Sequence, residues 1–129
     1  MFKDTRAFSS FSANDIEKAK KFYGETLGLQ LNDEAMGGLE LKISGGGSVF
    51  IYPKPDHEPA TFTVLNFSVA NIDTAVDQLK GLGVKFESYG GEIKTDDKGI
   101  FRGGESGKGP NIAWFKDPAG NILAVVEEK

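Results

Sequence analysis

Asn14-Asp15-Ile16-Glu17-Lys18-Ala19-Lys20-Lys21-Phe22-Tyr23 and Asn71-Ile72-Asp73-Thr74-Ala75-Val76-Asp77-Gln78-Leu79 are two versions of one helix. In the first, Asn14 is a candidate N-cap with Glu17 in the capping-box position. Ile16, Ala19, Tyr23 and Leu27 then form an apolar stripe, and Gly28 is a natural stop. In the second, Ile72, Ala75, Val76 and Leu79 share a face and Gly83 is the stop. Asp15 aligns with Asn71, Ile16 with Ile72 and Ala19 with Ala75, always at a separation of 56. A helix repeated at fixed spacing predicts a repeated structural unit.

Each helix follows an alternating strand. From Arg6 to Ala13, residues Ala7, Ser9, Phe11 and Ala13 share one face and Phe8, Ser10 and Ser12 the other. From Thr63 to Val69, residues Leu65, Phe67 and Val69 oppose Val64, Asn66 and Ser68. Alternation with period 2 marks a half-buried strand, and the bulkier faces should pack under the helices. Each half then closes with strands. The first has Gly38 to Ile43, a glycine turn at Gly45-Gly46-Gly47, and Ser48 to Tyr52. The second has Asn111 to Phe115, a turn at Asp117-Pro118-Ala119-Gly120, and Asn121 to Val126. Gly47 aligns with Gly120 at a separation of 73, the excess over 56 coming from an insertion between about Ser88 and Pro110. Pro53-Lys54-Pro55-Asp56-His57-Glu58-Pro59 reads as a linker, because its prolines favour extended backbone and cannot donate to a ladder. The organisation predicted is α+β: two tandem βαβββ modules, about 1–58 and about 59–129, in one domain.

Composition narrows the function. The chain has 129 residues, one domain's worth. Its net charge of −4 gives no basic footprint for nucleic acid. It has no cysteine, which excludes disulfides, thiolate metal sites and thiol nucleophiles. No apolar run approaches the roughly 18 residues of a membrane span. Met1 to Phe8 carries Lys3, Asp4 and Arg6 with no apolar h-region, which predicts a cytoplasmic protein. The single histidine, His57, sits beside Asp56 and Glu58 in the linker and reads as a solvated surface residue. Gly104-Glu105-Ser106-Gly107-Lys108 is not a phosphate loop: Arg102 and Gly109 replace the Gly and Ser/Thr the motif needs.

Asp15-Ile16, Phe22-Tyr23 and Leu27-Gly28-Leu29 resemble the first-module signature of the vicinal oxygen chelate superfamily, and Phe115-Lys116-Asp117-Pro118-Ala119-Gly120-Asn121 resembles its second-module turn. That superfamily includes glyoxalase I, the bleomycin-resistance proteins and the extradiol dioxygenases. The resemblance spans essentially the whole chain and implies a curved mixed sheet with a concave trough. Turn chemistry alone makes Asp117 a turn residue.

The resemblance also implies where a divalent ion would sit in metal-dependent members: four His or Glu side chains, two per module, on the first and last strands. Carried onto this chain, the positions are Phe8, Ile51, Val64 and Ala124. None offers a donor to a hard ion. A slip of one residue would bring in Ala7, Ser9, Phe50, Tyr52, Thr63, Leu65, Leu123 or Val125, still without His, Asp or Glu. No metal and no other cofactor is therefore expected.

On the same parity, Phe8, Ser10, Ile51, Val64, Asn66, Ile112, Trp114, Ile122 and Ala124 should line the trough. Such a lining suits a small apolar or aromatic ligand, with Asn66 for orientation and Trp114 as platform; equally, Asn66 and Ser10 could bond each other or an ordered water in a filled core, with Trp114 an ordinary core residue. The glycine-rich Ser88–Pro110 insertion, with Ile100 and Phe101 inside it, reads as a lid, a dimer arm or a mobile surface loop. The expected function is capture of a small molecule without metal, by a homodimer, with no nucleic acid or membrane partner. The alternatives are a glyoxalase-like lyase or dioxygenase-type enzyme with a non-standard site, using groups such as Asn66, Tyr52 or Glu40, and a partner-binding regulatory module.

Overall fold

The computed structural model describes residues 1–45 and 47–128. Gly46, in the expected glycine turn, and Lys129 lie outside the described residues. The chain divides into two compact units, Met1–Pro59 and Ala60–Lys129, and is α+β with two four-stranded mixed sheets.

The first unit runs β1 (Ser9–Ala13), α1 (Ile16–Lys21) continuing into a π-helical turn at Phe22–Thr26, β2 (Leu31–Asp33), β3 (Leu39–Ile43) and β4 (Gly47–Pro53). Its sheet order is β1-β4-β3-β2, with β1 parallel to β4 and the other pairs antiparallel. The second unit repeats the plan with β5 (Thr63–Val69), α2 (Ile72–Gly81), β6 (Ile100–Arg102), a one-turn helix α3 (Gly103–Ser106), β7 (Asn111–Lys116) and β8 (Ile122–Glu127). Its order is β5-β8-β7-β6, with β5 parallel to β8.

The helices begin where chemistry asks, one residue later than expected in the first. Asp15, not Asn14, is the N-cap of α1: its backbone is extended and its Oδ1 accepts from the Lys18 N–H at 3.1 Å. Asn71 does the same for α2, its Oδ1 accepting from the Thr74 N–H at 3.0 Å. The caps are thus the aligned pair, and Glu17 falls outside the capping-box position. Gly83, at φ 92°, closes α2. Its own N–H reaches Lys80 O and the Val84 N–H reaches Leu79 O, the paired bonds of a left-handed helix stop.

Each unit buries one sheet face under its helix. In the first, Phe11, Ala13, Leu39, Leu41, Val49 and Ile51 are buried with Ala19 and Tyr23, and the Phe11 and Tyr23 rings meet at 6.2 Å. In the second, Ile100, Ala113, Phe115, Leu123 and Val125 are buried with Ile72 and Val76.

The Ser88–Pro110 insertion is neither a lid nor a loose loop. It supplies β6, paired antiparallel with β7, and Ile100 is fully buried. It is also clipped to α2 by charge. Arg102 donates to both carboxylate oxygens of Asp73 at 2.8 and 3.0 Å and to Asp96 at 2.9 Å. Lys98 bridges Asp73 and Asp77 at 3.1 Å each. The Asp73 carboxyl is held well below its ordinary range, first by the Arg102 guanidinium and then by Lys98, against the cost of burial. At Asp96 burial pushes upward, but the Ile100 N–H and the Arg102 guanidinium outweigh it. Both pKa values are lower folded than unfolded. The clip's contribution is therefore complete above about pH 4 and is lost as pH falls through the folded values. Asp73→Asn should lower the urea midpoint at neutral pH, and its gap from the parent protein should narrow steadily below about pH 4. A gap that persists unchanged into strong acid would contradict the clip.

Candidate functional site

The helices cover one face of each sheet, so the other faces are where side chains are free to meet a ligand. Register decides which residues those are. In the first unit Ser10 pairs with Phe50 and Ser12 with Tyr52, while Glu40 pairs with Phe50 and Lys42 with Ser48. Ser10, Ser12, Glu40, Ser48, Phe50 and Tyr52 therefore share the helix-free face. The Phe50 and Tyr52 rings lie roughly parallel, with centroids 6.5 Å apart. Phe8, just ahead of β1, is 66% exposed. It borders a hollow of about 370 Å³ together with Arg6, Glu34, Glu40, Ser48 and Phe50.

Ile51 is a correction. It pairs with Phe11 and Leu39 and is completely buried on the helix side. The cause is the choice of turn residue to align. Ile43 pairs with Gly47, which centres the first hairpin on Gly45. Lys116 pairs with Ile122, which centres the second on Ala119. Phe50 is thus the counterpart of Ala124, at a separation of 74, and aligning Gly47 with Gly120 shifts β4 by one. In a strand that shift moves every side chain to the other face.

In the second unit Asn66 pairs with Ala124, which pairs with Trp114. Ile112, Trp114, Ile122, Ala124 and Asn66 share the helix-free face by register, but Ala124 is completely buried there, against its expected place in the lining. Val64 is less simply placed: Thr63 pairs with Ile122 and Leu65 with Leu123, so Val64 is the extra residue of a bulge. Asn66 is exposed, and its amide has no hydrogen bond to another described residue of its own unit. Trp114 is half-buried and has two aromatic neighbours from the insertion. Tyr89 meets it edge to face at 5.3 Å, and Phe101 lies tilted at 6.3 Å. Phe101 sits opposite Ile112 in the β6–β7 pair. Neither Tyr89 nor Phe101 was expected on this face: Phe101 lies in a three-residue strand too short to show a period, and Tyr89 lies in no strand.

His57 is not simply solvated. It is half-buried, and its Nδ1 lies 2.6 Å from the Ser12 Oγ, which ties the proline-rich segment back to β1. Asp117 is a turn residue: its Oδ1 accepts from the Ala119 and Asn121 N–H groups at 2.9 Å, and its Oδ2 from the Asn121 amide at 3.0 Å.

The sequence model of the Glyoxalase/Bleomycin resistance protein/Dioxygenase superfamily matches residues 9–125. The chain belongs to this superfamily. No curated protein matches the sequence. Among solved structures, the chain is similar to TnmS3, an antibiotic binding protein from Streptomyces sp. CB03234, at 24% identity and a TM-score of 0.67, covering 98% of each chain. It is similar to a glyoxalase family protein from Bacillus anthracis at 20% identity and a TM-score of 0.68, covering 100% of both. The fosfomycin resistance protein FosX from Listeria monocytogenes gives 12% identity and a TM-score of 0.69, over 98% of this chain and 94% of that one. At these identities the likeness is one of fold.

The divalent ion of the superfamily's metal-dependent members does not fit the residues present. With the register corrected, its four positions carry Phe8, Phe50, Val64 and Ala124, none with a donor atom. Among the described residues no three His, Cys, Asp or Glu side chains gather where they could hold an ion. No helix among them is long and apolar enough to cross a membrane.

The register makes a direct prediction. Ile51→Ala should cost about 2–4 kcal/mol in urea unfolding, as for a buried aliphatic residue, and Phe50→Ala should cost clearly less. The reverse order would put Ile51 back on the open face.

Proposed function

We propose that this chain is a cytoplasmic, metal-independent binding protein that captures a small apolar or aromatic molecule on its helix-free faces. The observation that carries the reading is the replacement of donor groups by hydrophobic ones at the superfamily's metal positions, on faces that also hold Trp114, Tyr89, Phe101 and Phe50. Rings on a sheet give a ligand contact area at low entropic cost. On the first unit Phe8 and Ser10 are proposed contacts; on the second, Asn66, Ile112 and Trp114, with the buried Ala124 behind Trp114 and Val64 at the strand's bulge. The exposed Asn66 amide, with no hydrogen bond to another described residue of its own unit, is available to orient the ligand. An antibiotic-binding protein among the structural neighbours is in keeping with capture rather than turnover. Assembly is proposed as a homodimer, because each open four-stranded sheet leaves edges to cover.

Elemental analysis after mild purification should find well under one equivalent of zinc, nickel, iron or manganese; one equivalent of any would overturn metal independence. Sedimentation should give about twice the 13.9 kDa chain mass, and a monomer at micromolar concentration would remove the dimer.

Trp114 is the sole tryptophan, so its emission reports on its own face. A panel of uncharged aromatic compounds should yield one that shifts or quenches it. Trp114→Ala should then weaken binding by about 2 kcal/mol or more, and Asn66→Ala by about 1 kcal/mol. Silence across the panel, with Trp114→Ala merely lowering thermal stability, would leave only the fold. Turnover of a panel compound would favour an enzyme instead.

A further inference from the structure

The hollow on the first unit differs in chemistry from the Trp114 face. Its six lining residues include two carboxylates, Glu34 and Glu40, and one guanidinium, Arg6. The lining therefore carries one net negative charge beside two phenylalanine rings. Glu40 stands on β3 directly opposite Phe50 on β4. Gly38, two residues back on the same strand line, leaves room for that ring to lie across the sheet: a Cβ there would meet Phe50 Cε1 at 2.8 Å and Cζ at 2.9 Å. Phe8 is exposed on the other side.

Glu40 is positioned rather than loose. The Asn32 amide donates to its Oε1 at 3.0 Å. That bond, more than the nearby Lys42 charge, holds the carboxyl below its ordinary range against some burial. It is ionised at neutral pH and keeps lone pairs for a further partner. Two carboxylates and a hydroxyl do not make the six to eight oxygens that calcium takes. An anion would meet two like charges for one opposite. Aromatic faces with a fixed carboxylate are the groups that hold an organic ammonium.

We propose that this hollow binds a monovalent organic cation with a flat apolar body, its ammonium against Glu40 and its ring against Phe8 and Phe50. The inference rests on the binding function proposed above and names the ligand class for its first-unit face. A volume of about 370 Å³ lies within the range of small-molecule sites.

Three matched probes test it on the 15N-labelled full chain: benzyltrimethylammonium, benzyl alcohol and benzenesulfonate. The cation should shift the Glu40, Ser48 and Phe50 amides and bind at least about fivefold more tightly than the alcohol. Glu40→Gln should weaken the cation by about the same factor, and Arg6→Gln, at an exposed position, should tighten it. The opposite signs separate a charge effect from damage to the fold, and if Glu40→Gln unfolds, Arg6→Gln decides alone. The proposal is overturned if benzenesulfonate binds as well as the cation, or if neither substitution changes the affinity. Binding of benzyl alcohol on the same amides with no preference for charge would also overturn it, and would leave the broader binding function standing. If no probe binds and Trp114 is silent to every uncharged aromatic compound, both fall.

Discussion

Alternate residues of these strands do opposite work, and that division governs the rest of the molecule. Leu39, Leu41, Val49 and Ile51 are buried against a helix; their neighbours Glu40, Ser48 and Phe50 border an open hollow. Each strand therefore carries a core sequence and a site sequence interleaved at period 2. Neither can slide without the other. A substitution that improves one face leaves the second untouched, which lets a fold keep its packing while its chemistry changes. Phe8 and Phe50 stand on the site side of that division; Ala124 shares the parity but is fully buried.

The same interleaving explains what the sequence made legible. The helices were readable because caps, stripes and stops fell on aligned residues, and Asp15 and Asn71 prove to be equivalent caps. Assigning the first cap to Asn14 fails because two adjacent side chains can both cap, and only the extended backbone at Asp15 chooses between them. The second-unit face, with Asn66, Trp114 and Ala124 in one row, followed from parity. Ile51 did not, because aligning Gly47 with Gly120 misplaces the hairpin centre by one residue. A run of three glycines does not show which of them is the counterpart of Gly120. The strands β2 and β6 carry three residues each, fewer than one can read as a pattern. Their place is set by pairing with β3 and β7, which are distant information. Phe101 went unseen for that reason, Tyr89 because it lies in no strand, and the clip because its partners are far apart in the chain.

That clip has a physical logic of its own. A glycine-rich insertion loses much backbone entropy on ordering. The second unit offsets this with groups near the start of α2. Asp73 there binds Arg102 through both oxygens. Glu127, at the end of β8, accepts the Ile72 N–H at 2.9 Å with one oxygen and the Asn111 amide with the other. Negative charge at a helix N-terminus is favourable, so the carboxylates that fix the insertion and β7 also suit the helix. Trp114 then gains Tyr89 and Phe101 as neighbours because their backbone is held in place.

The first unit solves the matching problem differently, and the difference bears on its site. The counterpart of Glu127 at the separation of 74 is Pro53, which has no carboxylate to offer a helix. The chain end there is held by the Lys54 N–H to Ala13 O and by Ser12 to His57. Asp33 there is bridged to Lys20 of α1 at 3.0 Å and Asp15 caps that helix, but two other carboxylates stand elsewhere. Glu34 and Glu40 border the hollow, where Glu40 accepts from the Asn32 amide at 3.0 Å. In the second unit acidic groups are neutralised by Arg102 and Lys98, and the open face is aromatic. In the first they remain beside the rings, charged and facing solvent. Two copies of one plan thus present two chemistries, and where the acidic side chains are anchored determines which.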